Sequence, residues 1–350
     1  MSAGFRAVQW NRDKLIYDAI LAAGVVAFLG GFAAIAGRIH PPNNLADTID
    51  IWIRATGSCA FLMLTIILCI GPLARLDRRF LPLLTNRRHF GVLTFLIAAA
   101  HGWLMVEWYA AQNALPDLVA EMTSGKGYDR FIGFPFKMLG LAALVVLFLM
   151  AATSHDFWLA FLTPPVWKAL HMLLYAAYGL VAMHVALGIM QYERTVLIPL
   201  MLFGGCGLVS ALHLTAGFRE HRSEAGTPVN AGGWIVVAAP DDIPDRAARI
   251  VLAPGGERIA VFRNGDEIGA LTNLCAHQNG PLGEGRIIDG CVTCPWHGYQ
   301  YRLADGCAPP PFTERLATYR VRINRGMVEV HPDALPPGTP AAIRLSAGTN

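Results

Sequence analysis

Cys275-Ala-His277 is followed, after sixteen residues, by Cys294-Pro-Trp-His297. Each half offers one thiolate and one imidazole on a short loop. Two thiolates can hold one iron of a 2Fe–2S cluster while two imidazoles hold the other. Gly280-Pro281-Leu282-Gly283 follows the first half, and Pro295 and Gly298 sit within and after the second. Tight turns of this kind let backbone N–H groups face an anionic cluster. Structural zinc is the competing reading, because Cys291-Val-Thr-Cys294 is itself a C-x-x-C pair. The alternation C-x-H and C-x-x-H is unusual for zinc, and zinc gives no reason for the Gly and Pro residues around it.

The segment 273–301 resembles the ferredoxin-like branch of the Rieske iron–sulfur family. That resemblance implies a 2Fe–2S cluster on Cys275, His277, Cys294 and His297. Rieske proteins of cytochrome bc complexes carry an extra Cys in each ligand loop, joined as a disulfide. The matching positions here are Gly280 and Trp296, so no such bridge is expected. Those proteins also place a Ser two residues, and a Tyr four residues, after the second His, and both hydroxyls donate to cluster sulfurs. Tyr299 and Tyr301 occupy these positions. Tyr301 is expected to keep the donor role beside the cluster, whereas Tyr299 is too large to replace a compact Ser. Fewer bonds to sulfur imply a midpoint in the lower part of the Rieske range of roughly −150 to +300 mV.

The remaining sequence is of a different kind. Of 350 residues, 54% are hydrophobic and 15% charged, against about 25% charged in soluble chains. A net charge of +3 without a dense basic run argues against nucleic acid as a partner. The apolar residues concentrate before position 218. Six stretches, near 17–38, 53–74, 90–110, 136–153, 168–190 and 195–217, approach the 20 or so residues needed to cross a bilayer. Only helices satisfy such a backbone in lipid. The expected architecture is thus a six-helix, all-α transmembrane bundle over 1–217, followed by a small all-β domain. Lys and Arg favour one side of the bundle, with Arg75, Arg78, Arg79, Arg87 and Arg88 as the densest group. The positive-inside rule then puts both termini in the cytoplasm and the chain in the inner (cell) membrane. A reducing compartment also suits thiols kept for iron.

Ionisable groups at membrane depth are costly and usually functional. His101 falls in the third stretch, His171 and His184 in the fifth, His213 in the sixth, and His89 where the third begins. Imidazoles from neighbouring helices can take the axial positions of a b-type haem. Hydrogen bonding between helices is the alternative reading for any one of them. Three further runs carry a second resemblance: Arg54-Ala-Thr-Gly57 leading to Gly71-Pro72-Leu73, Arg87-Arg88-His89-Phe90-Gly91 leading to His101, and Trp167-Lys-Ala-Leu-His171 leading to His184. Over about 50–190 the chain resembles the ferric-reductase-like transmembrane family. The resemblance implies haem b, one or two per chain, on His101, His171 and His184. His89 and His213 are weaker axial candidates. His171 and His184 stand thirteen residues apart, a rise of about 20 Å and an offset of roughly 140° around an ideal helix. They therefore belong to different faces.

Residues 218–231 read as a polar linker. From 232 to 333 the pattern is that of short strands at 234–238, 249–252, 258–263, 267–272, 291–293, 299–303, 317–323 and 327–331. Asn264-Gly265, Asp289-Gly290 and Asp305-Gly306 are among the turn signals between them. The stretch 334–350 is expected to be a disordered tail. No G-x-G-x-x-G fingerprint follows a strand, so the chain is not expected to oxidise NAD(P)H alone. The expected function is membrane electron transfer between a cytoplasmic donor, the cluster and haem, with a quinol-oxidising subunit of a larger respiratory complex, or a non-redox membrane protein with a structural zinc domain, as the alternatives. The implied partners are the lipid bilayer, a cytoplasmic donor (ferredoxin, flavoprotein reductase or quinol) and an acceptor of unassigned identity.

Overall fold

A computed structural model describes residues 12–84, 87–154, 164–193, 195–224, 229–230, 232–276, 280–295, 298–310 and 312–345. The chain divides into two compact units.

The first unit, Asp13–Pro72 with Asn86–His213, is helical. Its elements are α1 (Arg12–Ile39), α2 (Leu45–Leu76), α3 (Arg87–Ala111), α4 (Leu115–Thr123), α5 (Lys137–Ala152), α6 (Pro164–Leu187) and α7 (Leu197–Glu224). A single helical turn, Ile189–Tyr192, follows α6. The middle of the bundle belongs to α2. Of its apolar window, 61% is buried, against 6–22% for α1, α3, α6 and α7. Ala55, Phe61, Leu64 and Ile70 are its innermost residues. The other long helices turn large apolar side chains outward, among them Ile20, Val26, Trp103 and Phe203. Such a surface is stable only against lipid, where the backbone is already satisfied within each helix.

One expectation changes. Five of these helices are long and apolar enough to cross a membrane, not six. The fourth expected span is α5, with 16 residues, a length of about 24 Å against a hydrocarbon core of about 30 Å. It starts within a residue of the expected position and cannot extend further back, because the approach to it is irregular, with Gly125, Gly127 and Gly133 all at positive φ. The short α4 is fastened to the start of α5 by the ion pair of Glu121 with Lys137, 2.6 Å.

The second unit takes in Leu73–Thr85 and Leu214–Asn350. Its larger sheet has the order β1-β9-β8-β4-β3-β2, with β10 paired to β4. The strands are β1 (Ile235–Ala238), β2 (Ala247–Leu252), β3 (Arg258–Asn264), β4 (Glu267–Thr272), β8 (Thr318–Asn324), β9 (Met327–Leu335) and β10 (Ile343–Arg344). A smaller antiparallel sheet is made of β5 (Arg286–Ile288), β6 (Cys291–Thr293) and β7 (Gln300–Arg302). Asp289 and Gly290 both have positive φ, which is the two-residue hairpin turn that suits the strand twist between β5 and β6. One core, around Ile235, Ile259, Val261, Ile268 and Val330, lies on the larger sheet. A second, around Phe262, Leu282, Val292, Tyr301 and Leu316, joins it to the smaller sheet and takes in both Cys275 and Cys294.

Two boundaries depart from expectation. Residues 218–224, read as linker, continue α7. Residues 334–345, read as disordered tail, are ordered: β9 runs on to Leu335 and β10 pairs with β4. The Leu345 N–H donates to the Asp266 carbonyl at 2.7 Å, Thr318 Oγ1 donates to the Thr339 carbonyl at 2.8 Å, and Ile343 and Leu345 pack on the core. Two apolar contacts and a ladder outweigh a composition rich in Pro, Gly and Ala.

Candidate functional site

The first site is built on the smaller sheet. Cys275 lies in the connection from β4 to β5, and Cys294 immediately after β6. Both thiols are almost wholly buried, at 1% and 2% exposure. The Cys275 N–H donates to the Gly280 carbonyl at 2.9 Å, and the Cys294 N–H to the Tyr299 carbonyl at 2.8 Å. Each loop is thereby closed on itself. Asn273 fixes the base of the first loop: its side-chain oxygen accepts from the Gly283 N–H at 2.6 Å, and its carbonyl accepts from Leu282 at 2.9 Å. Only glycine serves at 283, since a Cβ there would stand 2.6 Å from Ile250 and 2.9 Å from the Asn273 oxygen.

Tyr301, fully buried, brings its hydroxyl to 3.4 Å from Cys275 Sγ. Burial pushes its phenol pKa up, and the two neighbouring thiols add to the rise. Tyr299 is turned elsewhere and donates to Glu314 Oε1 at 2.7 Å. His277 and His297 lie outside the described residues. Two buried thiols on adjoining loops, with a hydroxyl donor beside them, fit a metal–sulfur centre better than a packing role. Cys291 is buried within β6 at the far end of that strand from Cys294.

The second site lies within the helical unit. The rings of His101 (α3) and His184 (α6) face each other edge to face, with centroids 6.2 Å apart. His101 Nδ1 is 3.0 Å from the Ile53 carbonyl, and His184 Nδ1 is 2.9 Å from the Phe136 carbonyl. A carbonyl only accepts, so each Nδ1 carries the proton and each Nε2 keeps its lone pair. This is the arrangement in which an imidazole serves as a metal ligand. Two metal–nitrogen bonds of about 2 Å, with roughly 1 Å from each nitrogen to its ring centre, span about 6 Å. The 6.2 Å separation of the ring centres would accommodate one metal held by both imidazoles.

The cradle for each ring is the same. A Cβ at Gly57 would lie 2.9 Å from His101 Cε1, and a Cβ at Gly140 would lie 2.8 Å from His184 Nδ1. Gly57 follows Ile53 by four residues and Gly140 follows Phe136 by four. Each imidazole thus rests on one turn of a neighbouring helix, bonded to its carbonyl and cleared by its glycine.

The other histidines are differently placed. His89 Nδ1 pairs with Asp18 of α1 at 2.7 Å. His213 is bonded through Nδ1 to the Val209 carbonyl at 2.9 Å and through Nε2 to the Tyr175 hydroxyl at 3.0 Å. Both are bonds between or along helices, the alternative reading for a membrane histidine. His171 sits thirteen residues before His184 on α6, and it is His184 that meets His101. Arg54 forms ion pairs with Asp50 and Glu193. Gly140 carries no motif, and the only hint of it in the sequence is a glycine in a helix interior, which costs about 1 kcal/mol unless a close approach repays it.

Comparison with known proteins assigns both regions. Residues 56–182 match the ferric reductase like transmembrane component, and residues 233–320 match the Rieske 2Fe-2S domain. The anthranilate 1,2-dioxygenase ferredoxin subunit of Burkholderia cepacia is 39% identical over 110 residues, which are 30% of this chain and 97% of the relative. The chain belongs to the Rieske iron–sulfur family. It joins a Rieske domain to a ferric-reductase-like transmembrane domain. Ferredoxin CarAc of Metapseudomonas resinovorans is 32% identical over 98 residues, 28% of this chain and 92% of its own. A solved complex of reduced oxygenase and oxidized ferredoxin in carbazole 1,9a-dioxygenase matches at 30% identity and a TM-score of 0.28, over 30% of this chain and 97% of that one. With the apolar helices, the two family matches make the chain an integral membrane protein of electron transfer, an oxidoreductase whose Rieske domain takes a 2Fe–2S cluster.

Proposed function

We propose that the chain carries electrons between a cytoplasmic donor and an acceptor on the far side of the inner membrane. Its cofactors on this reading are a 2Fe–2S cluster on Cys275, His277, Cys294 and His297, and one b-type haem on His101 and His184. The observation that carries it is the facing pair of imidazoles, each with Nδ1 on a carbonyl and a glycine beneath the ring. Both groups, when bound, take up and release single electrons.

What the chain itself supplies is placement. The Ile53 and Phe136 carbonyls set the tautomer and plane of each imidazole. Burial of Cys275 and Cys294 keeps water from the sulfurs, and Tyr301 offers a hydroxyl to one of them. The distribution of Lys and Arg supports termini in the cytoplasm, where a ferredoxin, a flavoprotein reductase or quinol would supply electrons. Optical and EPR spectra of the purified protein, before and after dithionite, test the proposal. A b-type Soret shift together with a Rieske EPR signal is expected. Iron–sulfur without haem would remove the transmembrane half of it, and zinc without iron would remove both halves.

A further inference from the structure

Glu314 lies in the loop that leads from β7 to β8, and both of its carboxylate oxygens are held. Oε1 accepts from the Tyr299 hydroxyl at 2.7 Å and Oε2 from the Thr313 N–H at 3.1 Å. Its backbone carbonyl accepts from Ala308 at 2.8 Å. Tyr299 is 4% exposed. Its ring centroid lies 5.8 Å from that of Tyr301 and 4.9 Å from that of Phe312. Tyr301 in turn reaches Cys275 Sγ. A fixed carboxylate is thus connected to the thiol pair through two packed tyrosines.

We infer that Glu314 sets the midpoint of the cluster downward, by holding a negative charge at the end of the Tyr299–Tyr301 pair and by taking the one proton Tyr299 has to donate. The inference rests on the proposed ligand set. Reduction adds negative charge to the cluster, and a carboxylate held at the end of two buried tyrosines opposes it. A phenol whose proton is given to a carboxylate cannot at the same time stabilise a reduced sulfur. The plainer role for Glu314 is to hold its loop to Tyr299 through the bonds to that hydroxyl, the Thr313 N–H and the Ala308 N–H, and that role requires an acceptor but no charge.

The two roles separate in the full-length chain. Glu314→Gln keeps an oxygen for Tyr299 and removes the charge. Its midpoint, read by redox titration of the Rieske EPR signal, is expected to rise above the parent's, while Glu314→Asp, which keeps the charge, stays close to it. A parental midpoint in Glu314→Gln, with an unchanged EPR line shape, would overturn the inference and leave only the plainer role. If Glu314→Gln assembles no cluster, Tyr299→Phe decides. It retains the carboxylate, so its midpoint is expected at or below the parent's, and a rise would overturn the inference. Absence of the Rieske signal from the parent chain is a different failure, that of the ligand set itself.

Discussion

A hydroxyl 3.4 Å from Cys275 Sγ and two glycines beneath two imidazoles are small features that carry measurable consequences. Tyr301→Phe removes a donor to sulfur and is expected to lower the cluster midpoint, read by redox titration, without loss of the EPR signal. The parent midpoint itself is expected below about +200 mV, given Tyr299's commitment to Glu314. Gly57→Leu or Gly140→Leu would put a side chain where an imidazole now lies. Each is expected to abolish the haem Soret band while sparing the Rieske signal, so loss of both would indicate misfolding instead. Cys275 and Cys294 stand out in the sequence because ligand-type residues at that spacing rarely arise from packing. The choice between His171 and His184 does not stand out. It depends on where the Phe136 carbonyl falls, and Phe136 comes from a segment with no periodic signal.

At the level of elements, alternation and turn residues disclose β3, β4 and β6 almost to the residue. The strands β5 and β10 are too short to show a period, with three and two residues. Their existence depends on the partners β6 and β4. Truncation after residue 336 would remove β10 and the packing of Ile343 and Leu345. A cost on the order of 2 kcal/mol follows from partial exposure of that apolar surface, visible as an earlier thermal loss of cluster absorbance.

The connector is tied to β8 and β9 by Glu329, which binds Arg322 at 2.6 Å and Asn230 at 2.9 Å. Burial raises the Glu329 carboxyl pKa, but the bonds from Arg322, Asn230 and Asn324 outweigh it, so the net shift is downward. A lowered folded pKa means stability that is complete above the ordinary carboxylate value of about 4.3. That stability fades as pH falls through the folded value. Glu329→Gln should therefore flatten the acid limb of a Tm-against-pH curve below about pH 4.3 and lower Tm at pH 7. An acid limb identical to the parent's would refute this account of the network.

For the whole molecule, the contrast between an apolar first part and an ordinary second part is plain from composition, and so is the order of the two domains. The number of spans is less plain. Hydropathy places the start of α5 to within a residue, but it does not say whether a helix of 16 residues is long enough to span. On the proposed ligand set, one histidine pair would give one haem for each 2Fe–2S cluster. Metal analysis with a pyridine haemochrome assay is expected to give one haem to two non-haem irons, and His171→Ala, His89→Ala and His213→Ala are expected to retain it. His101→Ala and His184→Ala are expected to lose it.

The two imidazole cradles also bear on how the protein is made. His101 rests on α2, the long helix before its own, and His184 rests on α5, the helix before its own. During synthesis each histidine therefore enters the membrane just after the turn that receives it. Each half-site lies on a pair of helices, the first pair able to close before the second has been translated, and the prosthetic group would arrive as the clasp between them. A chain divided between α4 and α5 and expressed as two fragments should still assemble, provided haem is available to join the halves.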